Sequence, residues 1–172
     1  AGLHLWDIDE PNIREPRLEK ELRVSGFARP LATGDDEGPD VPVFRFPGLC
    51  YCPSCNRLEK HRWFCPPNEN HCGRCEGQPG LIPSRFVVAC PRGHLDDFPY
   101  PRWVHGGRNL TGPDHKLRFT TRGVSASLSD VEIRCSCGAN ETMAHAFSAA
   151  MLARIGSGCT GRRPWLDDTE EC

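Results

Sequence analysis

The side chains best able to do chemistry in this 172-residue chain are its 11 cysteines and seven histidines. Two close pairs, "CPSC" (Cys52, Cys55) and "CGRC" (Cys72, Cys75), give the pattern C-x2-C-x16-C-x2-C. A C-x2-C turn aims two sulfurs at one tetrahedral ion about 2.3 Å from each, and two such turns make a zinc-ribbon-like site. Pro53 fixes the backbone early in the first turn. Cys50, Cys65 and His71 stand close enough in sequence to replace one of the four, although a small buried thiol is the simpler reading of Cys50 and Cys65.

A second group lies further along. Cys135 and Cys137 are two apart in an expected strand, so their side chains share a face. In an extended strand their Cα atoms would be about 6.8 Å apart, at the limit for a disulfide, so a shared zinc is geometrically easier. Cys159 and Cys172 are the preferred partners, with Cys90 and His94 as alternates. Zinc is favoured over disulfides throughout, because the cysteine count is odd and no apolar stretch resembles a signal peptide or a membrane span. Two zinc ions are the expectation.

The third chemical stretch is "RFVVACPRGHLDDFPYPRWVH" (85–105), which holds Cys90, His94, Asp96, Asp97 and His105. Its enzymatic reading makes the chain a metal-dependent hydrolase or nuclease using His94, Asp96 and Asp97, with Cys90 as a nucleophile. Nothing supports that reading beyond proximity: there is no phosphate-cradling G-x-x-x-x-G-K-[ST] loop and no H-E-x-x-H. The structural reading has Asp96 or Asp97 capping a short helix through "FPYPRWV", with His94 bonded in a turn and Trp103 as an anchor.

These groups need elements to hold them. "EPRLEKELR" (15–23) reads as a short helix, with Leu18 and Leu22 one turn apart. "PLATGDDEGPD" (30–40) reads as an acidic loop and a boundary. "VPVFRFPGLCYC" (41–52), "LIPSRFVVAC" (81–90), "KLRFTTR" (116–122) and "SLSDVEIRCSC" (127–137) read as strands, the second buried on both faces. The clearest helix spans 138–158, with Met143, Phe147, Met151 and Ile155 on one stripe and Asn140 or Thr142 as cap. The organisation expected is an acidic segment (1–40), a zinc-ribbon-like module (41–84) and a second α+β module (85–172).

Composition limits what these elements can bury. Leu, Ile, Val and Phe make up about a fifth of the chain, while Gly and Pro contribute 17 and 16 residues. So small an apolar fraction supports only a modest core, and metal staples offset that. The net charge of -2 argues against a globally basic nucleic-acid binder. Locally, residues 85–122 hold six Arg and one Lys against three Asp, whereas residues 1–40 hold ten acids against five bases. Arg85, Arg92, Arg102, Arg108, Lys116, Arg118 and Arg122 are therefore the candidate phosphate contacts.

The 85–105 stretch, "VEIRCSCGA" and "GCTGRRPWL", in that order, resemble the DrmB family of the bacterial DISARM anti-phage system. "EPRLEKELR" and "VFRFPGLCYCPSC" are similar to that family too. Members are several times longer, so the chain looks like an N-terminal portion. The resemblance implies a non-catalytic, cytoplasmic partner of a DISARM-type helicase subunit that helps engage foreign DNA, without a membrane segment and without ATP hydrolysis of its own. A pure protein–protein scaffold is the remaining alternative, its acidic N-terminus docking a basic partner.

Overall fold

The computed structural model describes residues 11–28, 43–123, 127–166 and 168–172. It divides into a small unit (residues 1–44 with 165–167) and a large one (45–164 with 168–172). The acidic loop expected at 30–40 and the first ten residues lie outside the described residues.

In the small unit, α1 (Pro16–Leu22) forms where expected. Its ordering group is Glu19, whose carboxylate takes both Nε (2.8 Å) and Nη2 (2.7 Å) of Arg14 and the Glu15 backbone N–H (2.9 Å). Leu18 and Leu22 stay exposed, at 51% and 59%. A short antiparallel bridge, Ile13 to Phe27, closes the segment around this helix.

The large unit is α+β and mostly sheet. Its strands are β1 (Leu49–Tyr51), β2 (Arg57–Lys60), β3 (Ile82–Pro83), β4 (Val87–Ala89), β5 (Leu95–Asp97), β6 (Leu117–Thr121), β7 (Val131–Cys135), β8 (Asn140–Thr142), β9 (Arg162–Arg163) and β10 (Asp168–Thr169). Six of them make one antiparallel sheet in the order β3-β1-β2-β6-β7-β8, and β4-β5 and β9-β10 are two-stranded ribbons. The β2–β6 pairing therefore runs one sheet across both modules expected from the sequence.

The run 81–90 is not one doubly buried strand. Pro83 lacks the N–H a ladder needs, and Ser84 turns the chain, its hydroxyl 2.6 Å from Tyr100 OH. β3 joins the large sheet, while β4 hairpins with β5 and leaves Val87 and Ala89 exposed. Among the described residues of the first expected strand, only Leu49–Tyr51 pairs. The long helix expected over 138–158 shrinks to α3 (Ala149–Arg154), because Gly138 at φ +94° reverses the chain and residues 140–142 return as β8. Ser148, rather than Asn140 or Thr142, caps α3, its hydroxyl accepting from Met151 N–H at 3.1 Å.

The main core lies against the large sheet. Phe98, Tyr100, Trp103 and Val104, the last three on α2 (Tyr100–Val104), pack with Phe119, Ile133, Met143 and Ile155. The four-residue stripe is thus split: Met143 and Ile155 are buried at 0% and 2%, while Phe147 is 46% exposed and Met151 half-buried. A second, smaller core contains Cys50, Cys52, Phe64, Cys65, Cys72 and Leu81. It is made mainly of sulfur. No helix among the described residues is long and apolar enough to cross a membrane.

Candidate metal centres

None of the 11 cysteines is in a disulfide, and nine of them fall with three histidines into three four-residue clusters. Within each cluster, one donor atom per residue lies within 4.8 Å of all the others. A tetrahedral zinc with sulfur at about 2.3 Å and nitrogen at about 2.05 Å requires S···S edges of roughly 3.8 Å and S···N edges of roughly 3.6 Å.

The first cluster is Cys52, Cys55, Cys72 and Cys75. Two tight turns build it. Asn56 N–H donates to the Cys52 carbonyl at 2.8 Å with Asn56 at φ 60°, and Gln78, at φ 42°, closes the second turn onto the Cys75 carbonyl. Cys52 and Cys75 sulfurs stand 3.7 Å apart, close to the tetrahedral edge. Burial and the thiols of Cys55, Cys72 and Cys52 push the Cys75 thiol up to about 12. A divalent cation reverses that by binding Cys75 in its thiolate form. Cys50 and Cys65 are buried beside this cluster but outside it, Cys65 lying 3.5 Å from His61 Nε2. His71 faces Glu69 at 3.3 Å.

The second cluster is Cys90, His94, Cys159 and Cys172. The β4–β5 hairpin supplies the first two: Gly93, at φ +88°, donates to the Cys90 carbonyl, and Cys90 N–H donates to that of His94. His94 Nδ1 is 3.3 Å from both the Cys90 and Cys159 sulfurs, and Cys90 and Cys172 sulfurs are 4.0 Å apart. His94 Nε2 donates to Glu170 Oε1 at 2.6 Å, which leaves Nδ1 as the lone-pair nitrogen facing the sulfurs. Glu170 is in turn held by Arg163 at 2.6 Å. The Glu170 contact, ahead of opposing burial, raises the proton affinity of His94. Cys90 comes down to about 6: burial pushes it up, but the His94 and Arg92 backbone N–H groups and the thiols of Cys159 and Cys172 outweigh that.

The third cluster is His105, His115, Cys135 and Cys137. The structure therefore parts the four residues expected to share one ion. Cys135 and Cys137 face two histidines, and Cys159 and Cys172 join Cys90 and His94, the pair held as alternates. The physical reason is register. Leu117 sits opposite Cys135 across β6–β7, so His115 arrives beside the Cys-Ser-Cys turn, while the β9–β10 ribbon carries the chain end back to the β4–β5 hairpin. The sequence offers His105 only as one of several chemical groups in 85–105 and gives His115 no role. The signal that could have found them was the pairing of the two expected strands 116–122 and 127–137.

Asp96 and Asp97 cap no helix. Pro99 precedes α2 without a side-chain cap. Asp96 takes Thr160 Oγ1 (2.8 Å) and Arg162 Nη1 (3.0 Å). Asp97 accepts Leu49 N–H at 3.2 Å, and burial pushes its carboxyl up. Trp103 is buried, as an anchor would be.

The large unit also carries an open groove of about 1090 Å³, with Lys60, Arg62, Trp63, Arg74, Arg102 and Lys116 among its lining residues. Lys60, Arg62, Arg74 and Lys116 make no ion pair with a described residue, and the groove acids Glu59, Asp96 and Asp97 are engaged by Arg57 and Arg162. Trp63 is 59% exposed, with the Arg62 guanidinium 5.6 Å from its ring centre. Of the seven expected phosphate contacts, only Arg102 and Lys116 line this groove. Arg102 spends Nη1 on the Gly107 (3.0 Å) and Ile155 (3.5 Å) carbonyls, Arg122 pairs with Glu132, and Arg92 reaches the Glu171 carbonyl. Arg85 lies over the Phe119 ring, and Arg108 and Arg118 are exposed elsewhere.

Residues 1–172 match the model of a family described as domain of unknown function DUF8724. The chain belongs to that family. A curated relative, DISARM protein DrmB of Bacillus paralicheniformis, is 30% identical over 168 residues, covering 93% of this chain and 28% of that protein. The DrmB-like resemblance carried by the three ordered motifs is borne out. The chain spans less than a third of the relative's length, and the segments "RFVVACPRGHLDDFPYPRWVH", "VEIRCSCGA" and "GCTGRRPWL" supply Cys90, His94, His105, Cys135, Cys137 and Cys159 of the second and third clusters.

Proposed function

We propose that this chain is the zinc-stapled, non-catalytic part of a DISARM-type defence subunit, partnering a helicase in the bacterial cytoplasm and engaging DNA. Its zincs sit at Cys52/Cys55/Cys72/Cys75 and at Cys90/His94/Cys159/Cys172. The sulfur-rich donor sets and near-tetrahedral edges support closed sites, whose ions order the chain rather than activate water.

The observation that carries the DNA reading is the groove. Lys60, Arg62, Arg74 and Lys116 present uncompensated positive charge along one concavity, in a chain whose net charge is -2. Phosphate contacts of that kind give affinity without reading sequence. The contact assignment therefore shifts from the 85–122 basic run to this set, with Lys116 common to both.

The hydrolase reading loses its parts. His94 has one nitrogen against two sulfurs and the other on Glu170, so it is not poised as a base. Asp96 and Asp97 are bonded to Thr160, Arg162 and the Leu49 N–H, which occupies them structurally.

Fluorescence anisotropy with a labelled duplex, titrated at several salt concentrations, tests the proposal. The slope of log K against log salt should flatten by about 1 for each of Lys60→Ala, Arg62→Ala and Lys116→Ala. Unchanged slopes in all three would overturn the groove assignment, and metal-dependent cleavage of the duplex would restore the hydrolase.

A further inference from the structure

We infer that His105, His115, Cys135 and Cys137 bind a divalent zinc-class cation as a Cys2His2 centre of their own, a third metal site in the fold. This rests on donor geometry and not on the DNA reading.

Two independent edges of the cluster match a tetrahedron. Cys137 Sγ is 3.4 Å from His105 Nε2, and Cys135 Sγ is 3.6 Å from His115 Nδ1. The value required by an ion bound to one sulfur and one imidazole is roughly 3.6 Å. A thiol–imidazole hydrogen bond would account for either edge alone. It would not account for both pairs meeting, all four donor atoms lying within 4.8 Å of one another. The two imidazole rings cross at 88° with centres 5.0 Å apart, so they approach one point from different directions.

The surroundings hold these donors in place without help from an ion. His105 Nδ1–H donates to the Pro101 carbonyl at 2.7 Å, which fixes the tautomer and leaves Nε2 with its lone pair facing the sulfurs. Ser136 locks the two cysteines to the segment 114–116 that carries His115. Its Oγ accepts Lys116 N–H at 2.9 Å and donates to the Asp114 carbonyl at 2.8 Å, bracketing His115. Gly138, at φ +94°, donates to the Cys135 carbonyl at 3.0 Å and bends the Cys-Ser-Cys turn so that both sulfurs share one side.

Donor chemistry selects the ion. Two thiolates cancel the charge of a dication, so the loaded centre is neutral and suits the buried His105 and Cys135. A monovalent soft ion would leave net negative charge there, and hard cations prefer oxygen. The rival use of the same atoms is a nucleophilic Cys137–His105 pair, since Cys137 is exposed.

Metal content measured by mass spectrometry on dialysed protein decides between them. The Cys135→Ser/Cys137→Ser variant should hold one zinc fewer per chain than the parent, whatever the parent's total. If that variant is insoluble, His115→Ala serves instead, read with cobalt: the cobalt spectrum of the parent should lose an imidazole-containing component. Equal metal content in parent and soluble variant overturns the site, as does an unchanged cobalt spectrum in His115→Ala. Rapid one-to-one alkylation of Cys137 in the zinc-loaded parent also overturns it, in favour of the nucleophile.

Discussion

The sulfur-built core makes a sharp prediction about what happens when its ion is lost. Among the residues of that core only Phe64 and Leu81 have hydrocarbon side chains, the rest being Cys50, Cys52, Cys65 and Cys72. Burying two such side chains contributes about 3–6 kcal/mol. A structural zinc contributes apparent folding free energy of about 10–16 kcal/mol. Between residues 61 and 80 there is a short 3₁₀ turn and a single bridge, His71 to Gly80, so backbone pairing compensates little. The Cys55→Ser/Cys75→Ser variant removes half the donors while keeping the buried Cys52 and Cys72 in place. A local loss of only about 4 kcal/mol at 1.4 kcal/mol per decade is roughly a thousand-fold in opening. Amide hydrogen exchange read by mass spectrometry should therefore rise at least about a thousand-fold over 61–80. Protection of β6 and β7, which belong to the aromatic core, should hold. Protection over 61–80 kept within about tenfold of the parent would refute the reasoning, because hydrocarbon packing would then suffice.

Other outcomes follow from the same structure. Glu170→Gln removes the carboxylate behind His94 and should weaken metal retention at that cluster by about 10- to 100-fold in competition with a chromophoric chelator. Phe98→Ala empties a site that is 1% exposed and in ring contact with Tyr100, Trp103 and Phe147. It should cost about 3–5 kcal/mol in denaturant unfolding, read at fixed metal loading. Glu19 is held below its ordinary value of 4.5, first by the Arg14 hydrogen bond and against burial. Its contribution is then complete above pH 4.5 and is lost as pH falls through the lower folded value. Arg14→Ala should move the Glu19 carboxyl titration seen by NMR upward, and an unmoved midpoint would exclude the pair.

How much of this could be read from residues alone depended on distance along the chain. Cys52/Cys55 and Cys72/Cys75 were legible because each pair closes its own turn, and only one long-range meeting was needed. Cys135 and Cys137 were recognisable as a pair, yet their partners depend on the β6–β7 register, which composition does not encode. The stripe Met143–Phe147–Met151–Ile155 misled for a related reason. Spacing by four is a helix signal, but buried residues from a strand end and a loop can share it by chance when the core collects side chains from irregular backbone. The fold class itself was readable, since abundant Gly and Pro with few large aliphatic residues leave short strands held by staples. The strand lengths were not, because Pro83 and Gly138 act through tertiary pairing.

The nesting of the clusters has a bearing on how the chain comes together in time. Cys52 and Cys75 are 23 residues apart, His105 and Cys137 are 32 apart, and Cys90 and Cys172 are 82 apart, with the second pair lying inside the span of the third. Loop closure costs about 0.6 kcal/mol more for each doubling of length, so the widest clasp starts about 1 kcal/mol behind the narrowest. Closing the inner loop first shortens the path the outer one has to span. During synthesis the first knuckles are complete as soon as Cys75 has emerged, whereas the outer clasp waits for Cys172. The chain thus has a built-in order of assembly, with its last knot tied only after everything inside that loop has been made.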